Sequence, residues 1–252
     1  MTDTLADKRA WYLGCRADQI AERVILLGDP GRVPRLAGYL DAVEVLPVNR
    51  GLATVTGRYK GERVTLAAFG MGAPIAAIVL HELHDIGARV FLRIGTSMCL
   101  PPHRLGDLLV AESAVCREGT SGAYLPDQPV ARADPALVLA IADSAAEAGV
   151  DCHVGRFASY DGFYRDMFAL DPATADRVER NFRGLASDGV GAVDMETSAI
   201  LTVATALGCR AGSLCAASVD GLTRTKLSAD QMQQAESRLI TIALDTLVSV
   251  SA

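Results

Sequence analysis

Two loop-like segments of this chain pair a flexible backbone with an arginine, the combination that binds an anion. Gly28-Asp29-Pro30-Gly31-Arg32 follows a short apolar run and precedes a segment opened by proline. Glycine lets the backbone approach a ligand closely, and a helix N-terminus favours negative charge. Arg32 adds a forked donor set suited to phosphate, although glycine and proline between a strand and a helix also read as a plain turn. In Arg93-Ile94-Gly95-Thr96-Ser97 the arginine stands inside an apolar run, residues 90–94. A buried arginine must be ion-paired or bind an anion, and the residues after it offer bare backbone and two hydroxyls. Arg50, just before the run that begins at Leu52, reads singly as a surface charge.

Carboxylates gather at two further places. Val193-Asp194-Met195-Glu196 sets two acids at the junction of a strand and a helix. Acids are favoured in a first helical turn; their apolar neighbours also suit carboxylates that accept hydrogen bonds from the vicinal hydroxyls of a sugar. Ser218-Val219-Asp220-Gly221 ends another apolar run with an acid. Asp220 reads either as an Asp-Gly turn or as a group that gives a proton to a leaving group.

The elements that must position these residues alternate. Strands are expected at 24–27, 52–58, 63–68, 89–94, 107–111, 152–158, 192–193 and 211–219. Residues 52–58 and 63–68 form a hairpin around Lys60-Gly61. Helices are expected at 75–85, 134–148, 171–182, 195–207 and 229–248, with Gly87 ending the first of them. This pattern predicts an α/β fold: a single domain over 1–252 with a central mixed β-sheet flanked by helices on both faces. Ligands of such sheets bind beyond the strand ends, which is where the unusual residues fall.

Composition narrows the classes. Of 252 residues, 50% are hydrophobic and 21% charged, with a formal net charge of −6; that is globular, and a mildly acidic surface argues against a nucleic-acid partner. The six cysteines form no C-x-x-C pair and read as buried free thiols. The first ten residues are polar, without the apolar stretch of a leader, and the apolar segment 199–217 is cut by Gly208, Arg210 and Gly212. No membrane contact and a cytoplasmic location are therefore expected. His81 and His84 lie three apart on a predicted helix with no third ligand nearby in sequence, so no metal site is expected.

Taken together, these motifs resemble the nucleoside phosphorylase family whose subunits have one α/β domain, above all its uridine phosphorylase branch. Gly28-Asp29-Pro30-Gly31-Arg32 looks like the family's first phosphate loop, Arg93-Ile94-Gly95-Thr96 like its second, and Val193-Asp194-Met195-Glu196-Thr197 like its ribose motif. The likeness runs from about Gly14 to the final helix. It implies phosphorolysis of a nucleoside to free base and (deoxy)ribose 1-phosphate, with inorganic phosphate as co-substrate and no cofactor. By position, Gly28, Arg32, Arg50, Arg93 and Thr96 would hold phosphate, the residue matching Arg50 coming from the neighbouring subunit. Met195 and Glu196 would hold ribose, and Phe163 would pack on base or sugar. Arg93, Glu196 and Asp220 are the catalytic candidates. The resemblance also implies a homo-oligomer, a trimer of dimers or a dimer.

Three departures bear on the base. Uridine phosphorylases carry a Gln-x-Arg pair that reads the uracil edge; here the matching positions are Met167 and Ala169, which make no such bonds. Val219-Asp220-Gly221 resembles instead the segment from which purine-cleaving members bring an aspartate to purine N7, once a small gap is allowed. Tyr12 stands where many relatives carry a histidine that reaches the ribose 5′-hydroxyl across the subunit interface. The reading therefore leans to purines, with an altered uracil site as the alternative. A nucleosidase that uses water, or a nucleoside-binding protein without turnover, would lack phosphate arginines or the ribose glutamate; Arg32, Arg50, Arg93 and Glu196 are all present.

Overall fold

The short apolar runs bounded by glycine, proline and charge become strands, and the longer amphipathic segments become the helices that cover them. A computed structural model describes residues 8–251. The polar opening, on which the expectation of no leader rests, falls largely on residues 1–7 and so lies mostly outside the described residues. In chain order the elements are β1 (Arg23–Leu27), α1 (Val33–Ala37), β2 (Asp41–Val45), β3 (Ala53–Tyr59), β4 (Glu62–Ala68), α2 (Ala73–Asp85), β5 (Val90–Cys99) and β6 (Leu108–Arg117). They continue with α3 (Gly119–Tyr124), β7 (Val130–Arg132), α4 (Pro135–Glu147), β8 (Cys152–Tyr160), α5 (Pro172–Ser187), β9 (Val190–Asp194), α6 (Thr197–Leu207), β10 (Arg210–Asp220) and α7 (Ala229–Ser249).

One mixed sheet runs β10-β6-β8-β9-β5-β1-β4-β3-β2, with β7 on β6 and a second pairing of β10 along β5. That pairing closes β5, β10, β6, β8 and β9 into a ring, from which β1, β4, β3 and β2 extend as an open wing. The long strand β5 belongs to both parts. One of its edges pairs with β1 from Val90 to Ile94 and with β9 only at Met98 and Cys99. Between them, residues 95–97 have a ladder partner only on the other edge, where Cys215, Ala216 and Ala217 of β10 lie opposite. The sheet thus splits at Gly95-Thr96-Ser97, and a split between diverging strands is where α/β sheets leave room for a ligand.

Helices cover both faces, as expected. Val79, Leu80 and Leu83 of α2 and Ile200, Leu201 and Val203 of α6 pack on one face. Leu137 and Ile141 of α4 and Leu239, Ile242 and Leu247 of α7 pack on the other, with Val33 and Leu36 of α1. A third cluster joins Val178, Phe182 and Leu185 of α5 to Met98, Leu100 and Val193.

Several boundaries differ from the sequence reading. β5 and β6 continue well past 94 and 111, because their polar continuations are stabilised by pairing with β10, β8 and β7. The helix expected from Met195 begins at Thr197, which leaves Met195 and Glu196 in the connecting bend. Three elements were not anticipated. All five residues of β2 are exposed, so it has no buried face to produce an alternating pattern. β7 has only 3 residues, and the 6-residue α3 contains two glycines, poor helix formers.

Candidate active site

β5 carries Arg93 into the interior at 3% exposure, where it is ion-paired, one of the two alternatives the sequence left open for a buried arginine. Its Nη2 donates to Oε2 of Glu196 at 2.6 Å and lies 3.1 Å from Oδ2 of Asp194, while Nη1 contacts Sγ of Cys215 at 2.6 Å. Alternation along β5 gives Arg93, Gly95 and Ser97 a common face. Gly95 leaves room for that side chain: a Cβ would stand 2.8 Å from Nη1 of Arg93, and the guanidinium would have to shift. The arginine therefore folds flat over bare backbone.

Both carboxylates are held by further donors. Glu196 (6% exposed) accepts from the backbone N–H of Gly72 at 2.7 Å, the residue that precedes α2, so it also faces the positive end of that helix. Asp194 accepts from Oγ of Ser159 at 2.6 Å and Oγ1 of Thr197 at 2.5 Å, and its oxygens lie 3.2 and 3.3 Å from the N–H of Thr197. Asp194, the last residue of β9, thus takes up the first amide of α6, while Glu196 turns away from that helix into the site. Two buried carboxylates face one guanidinium. Burial works against the charge of Arg93, and the adjoining Cys215, Asp194 and Glu196 outweigh it, holding its pKa above the usual arginine value. Burial pushes the Cys215 thiol up to about 11, against the pull of Arg93.

The loop at 28–32 lies close to Gly95, with Arg32, Ile94 and Gly95 lining one narrow cleft. Gly28 follows β1 and packs against the loop after β4; a Cβ on it would lie 3.2 Å from the carbonyl of Gly70. Arg32 Nε lies 2.8 Å from Oε1 of Glu236 on α7, and Arg35 Nη1 is 2.8 Å from the other oxygen of the same carboxylate. The cleft, of about 10 Å³, is lined by Arg32, Ile94, Gly95 and Glu236. Thr96 is half-buried, on the opposite pleat from Arg93. Arg50 is exposed and stacks on Tyr12, its guanidinium carbon 5.0 Å from the ring centroid. Neither Arg50 nor Tyr12 bonds to Arg93 or Glu196 among the described residues. Asn49 and Glu82 fix the Tyr12 backbone instead, through 2.6 Å and 2.8 Å bonds.

Buried donors without partners concentrate in these loops. The buried side-chain nitrogen and oxygen atoms that lack a well-formed hydrogen bond include Arg32 Nε, Arg93 Nε and Ser97 Oγ. Arg32 Nε is close to Glu236 but poorly aligned with it.

An apolar wall adjoins the cluster. Phe163, Met195 and Val219 are partly buried against the same core group, and Phe163 stacks on Phe168 with ring centroids 5.9 Å apart. Met98 links the two strands involved, with Val193 opposite on one side and Val219 on the other. Met167 and Ala169 are 3% and 2% exposed and belong to the core, so the positions that read uracil elsewhere are spent on packing here. Asp220 ends β10, and its Oδ1 accepts from the N–H groups of Leu222 at 3.0 Å and Thr223 at 2.7 Å. The turn expected at Asp-Gly is therefore real, and it occupies one carboxylate oxygen.

Sequence reasoning missed the supports: Gly72, Ser159, Cys215 and Glu236. A larger cavity of about 460 Å³ lies between α4 and α7, lined among others by Asp143, Glu147 and Asp245 and by none of the predicted residues. No described helix is long and apolar enough to cross a membrane.

The fold is that of an α/β protein of the phosphorylase type. Residues 22–249 match the Phosphorylase superfamily, and the chain belongs to that family. It is 33% identical to the uridine phosphorylase of Salmonella typhimurium over 93% of this chain and 95% of that one. It is 32% identical to a DeoD-type purine nucleoside phosphorylase of Geobacillus kaustophilus, over 94% and 97%. The crystal structure of uridine phosphorylase from Vibrio fischeri superposes with a TM-score of 0.83 at 29% identity, covering 96% of this chain and 98% of that one.

Proposed function

We propose that this chain is a nucleoside phosphorylase that leans toward purine nucleosides and works as a homo-oligomer. The supporting observation is the state of Arg93. Its two terminal nitrogens are tied to Glu196, Asp194 and Cys215, while its buried Nε has no acceptor. A donor left so costs about 1–3 kcal/mol, and a phosphate oxygen would satisfy it beside a carboxylate poised for ribose.

In this reading the 2′- and 3′-hydroxyls donate to Glu196, and Met195 packs on the sugar. Phosphate rests on the backbone at Gly28, on Arg32, Arg93 and Thr96, and on the partner's Arg50, with the partner's Tyr12 near the ribose 5′ end. The bond from C1′ to the base nitrogen lengthens first, and the sugar acquires oxocarbenium character. The phosphate anion stabilises that charge and then forms the C1′–O bond. The electron pair of the broken bond leaves with the base, which takes a proton from Asp220 or from solvent. Inorganic phosphate is the co-substrate, and the reaction calls for no cofactor. Exposed Trp11 (83%) and Val48 (64%), near Tyr12 and Arg50, favour a subunit contact there. The buried Met167 and Ala169 favour purines over uracil.

The test is base release from uridine, thymidine, inosine, guanosine and adenosine, each with and without phosphate. Phosphate-dependent release of purine bases is expected. Release without phosphate would make the protein a hydrolase, and release of uracil alone would overturn the purine reading.

A further inference from the structure

His103, Asp107 and His153 converge outside the group of residues assigned above. His103 and Asp107 lie in the connection from β5 to β6, and His153 is the second residue of β8. The parallel register of β6 and β8 sets His153 opposite Leu109, beside the start of β6. One ligand-capable atom from each of the three residues lies within 4.8 Å of the others. Yet Asp107 Oδ2 is 4.0 Å from Nδ1 of His103 and 3.7 Å from Nε2 of His153, both too long for a hydrogen bond. The rings are 5.1 Å apart and tilted by 46°, so they do not stack face to face. Three donors thus point at one another without bonding.

Two of them are held in place. The His103 ring lies over Gly191, where a Cβ would come within 2.5 Å of it. Asp107 Oδ2 accepts from the N–H of Arg104 at 2.9 Å, and the Asp107 carbonyl accepts from the N–H of Ala217 at 2.9 Å. His153 is the more exposed ligand and the one free to adjust.

We propose that His103, Asp107 and His153 form a binding site for a divalent cation of the zinc class. Two imidazole nitrogens and one carboxylate oxygen are the donor set such ions take. With bonds of about 2.0–2.1 Å, donor atoms around a tetrahedral zinc stand about 3.3 Å apart. Closing the present 4.0 Å and 3.7 Å spacings to that takes a rotation of His153 and a smaller adjustment of the His103 ring against the Asp107 carboxylate, with water as the fourth ligand. The ion braces the β5–β6 connection against β8 and leaves the Arg93 cluster untouched, so the proposal does not depend on the phosphorylase reading.

Equilibrium dialysis of the full untagged chain against Zn²⁺ tests it, with Co²⁺ absorption as a second readout. One Zn²⁺ per chain is expected, together with a melting temperature that rises with Zn²⁺ concentration, since a ligand of the folded state stabilises it. His153→Gln and Asp107→Asn should each weaken binding tenfold or more and abolish the visible Co²⁺ bands. His81→Gln should change neither. Absence of binding, unchanged affinity in both site variants, or loss of binding in His81→Gln would each overturn the site.

Discussion

Arg93 stands between two carboxylates where water does not reach, so its removal strands charge as well as deleting a ligand contact. Arg93→Ala should lower stability by about 3–5 kcal/mol, the usual cost of breaking a buried pair from one side. Urea denaturation would show it, and the phosphate KM of the folded fraction should rise. An unchanged phosphate KM would remove Arg93 from the anion site. Asp220 poses a different question, because its carboxylate already holds a turn. Asp220→Asn keeps an oxygen for Leu222 and Thr223 but cannot deliver a proton. If Asp220 is the general acid, purine-nucleoside turnover should fall about 10²-fold with little change in melting. Near-normal turnover would reduce Asp220 to the turn it also makes.

At the scale of elements, the site depends on the split along β5. Pairing with β1 ends at Ile94 and pairing with β9 begins at Met98, and Gly95 lies in the interval under the Arg93 guanidinium. Gly95→Ala introduces a methyl 2.8 Å from Nη1 of Arg93. The guanidinium must shift, and overpacking of this kind costs about 1–3 kcal/mol. We expect a lower urea midpoint together with a raised phosphate KM. A stability loss with unchanged kinetics would mean that the position of the guanidinium does not matter to the anion. The turn before α2 acts on the other carboxylate, for the Gly72 N–H reaches Glu196 across 124 positions of sequence.

At the scale of the whole molecule, the ring of β5, β10, β6, β8 and β9 gathers the Arg93 cluster, while Tyr12 and Arg50 stack on each other with no bond to it. If Arg50 serves a neighbour, two crippled chains can repair each other. Arg50→Ala and Glu196→Gln should each be nearly inactive alone. Mixed oligomers made by co-expression should recover activity, because a site on the Arg50→Ala chain keeps its own Glu196 and borrows the partner's Arg50. Assays of the separate and co-expressed chains, with size measured by analytical ultracentrifugation, decide it. No recovery in mixed oligomers would place Arg50 at its own chain's site or outside any site.

The sequence by itself determined the alternation of strands and helices, the hairpin at Lys60-Gly61, and the residue types of both anion loops and the acidic junction. These are local properties: an apolar period, a glycine beside an arginine, an acid at a strand end. The tertiary structure decided which groups share the charge of Arg93, where Arg32 rests, that Met167 and Ala169 are core, and that two histidines meet an aspartate. Those pairings depend on strand register. Cys215 reaches Arg93 over 122 positions only because β10 runs parallel to β5 with Ser213 opposite Arg93. Periodicity shows which face of a strand is buried; register, set by packing across the whole sheet, fixes which residue lies next to which.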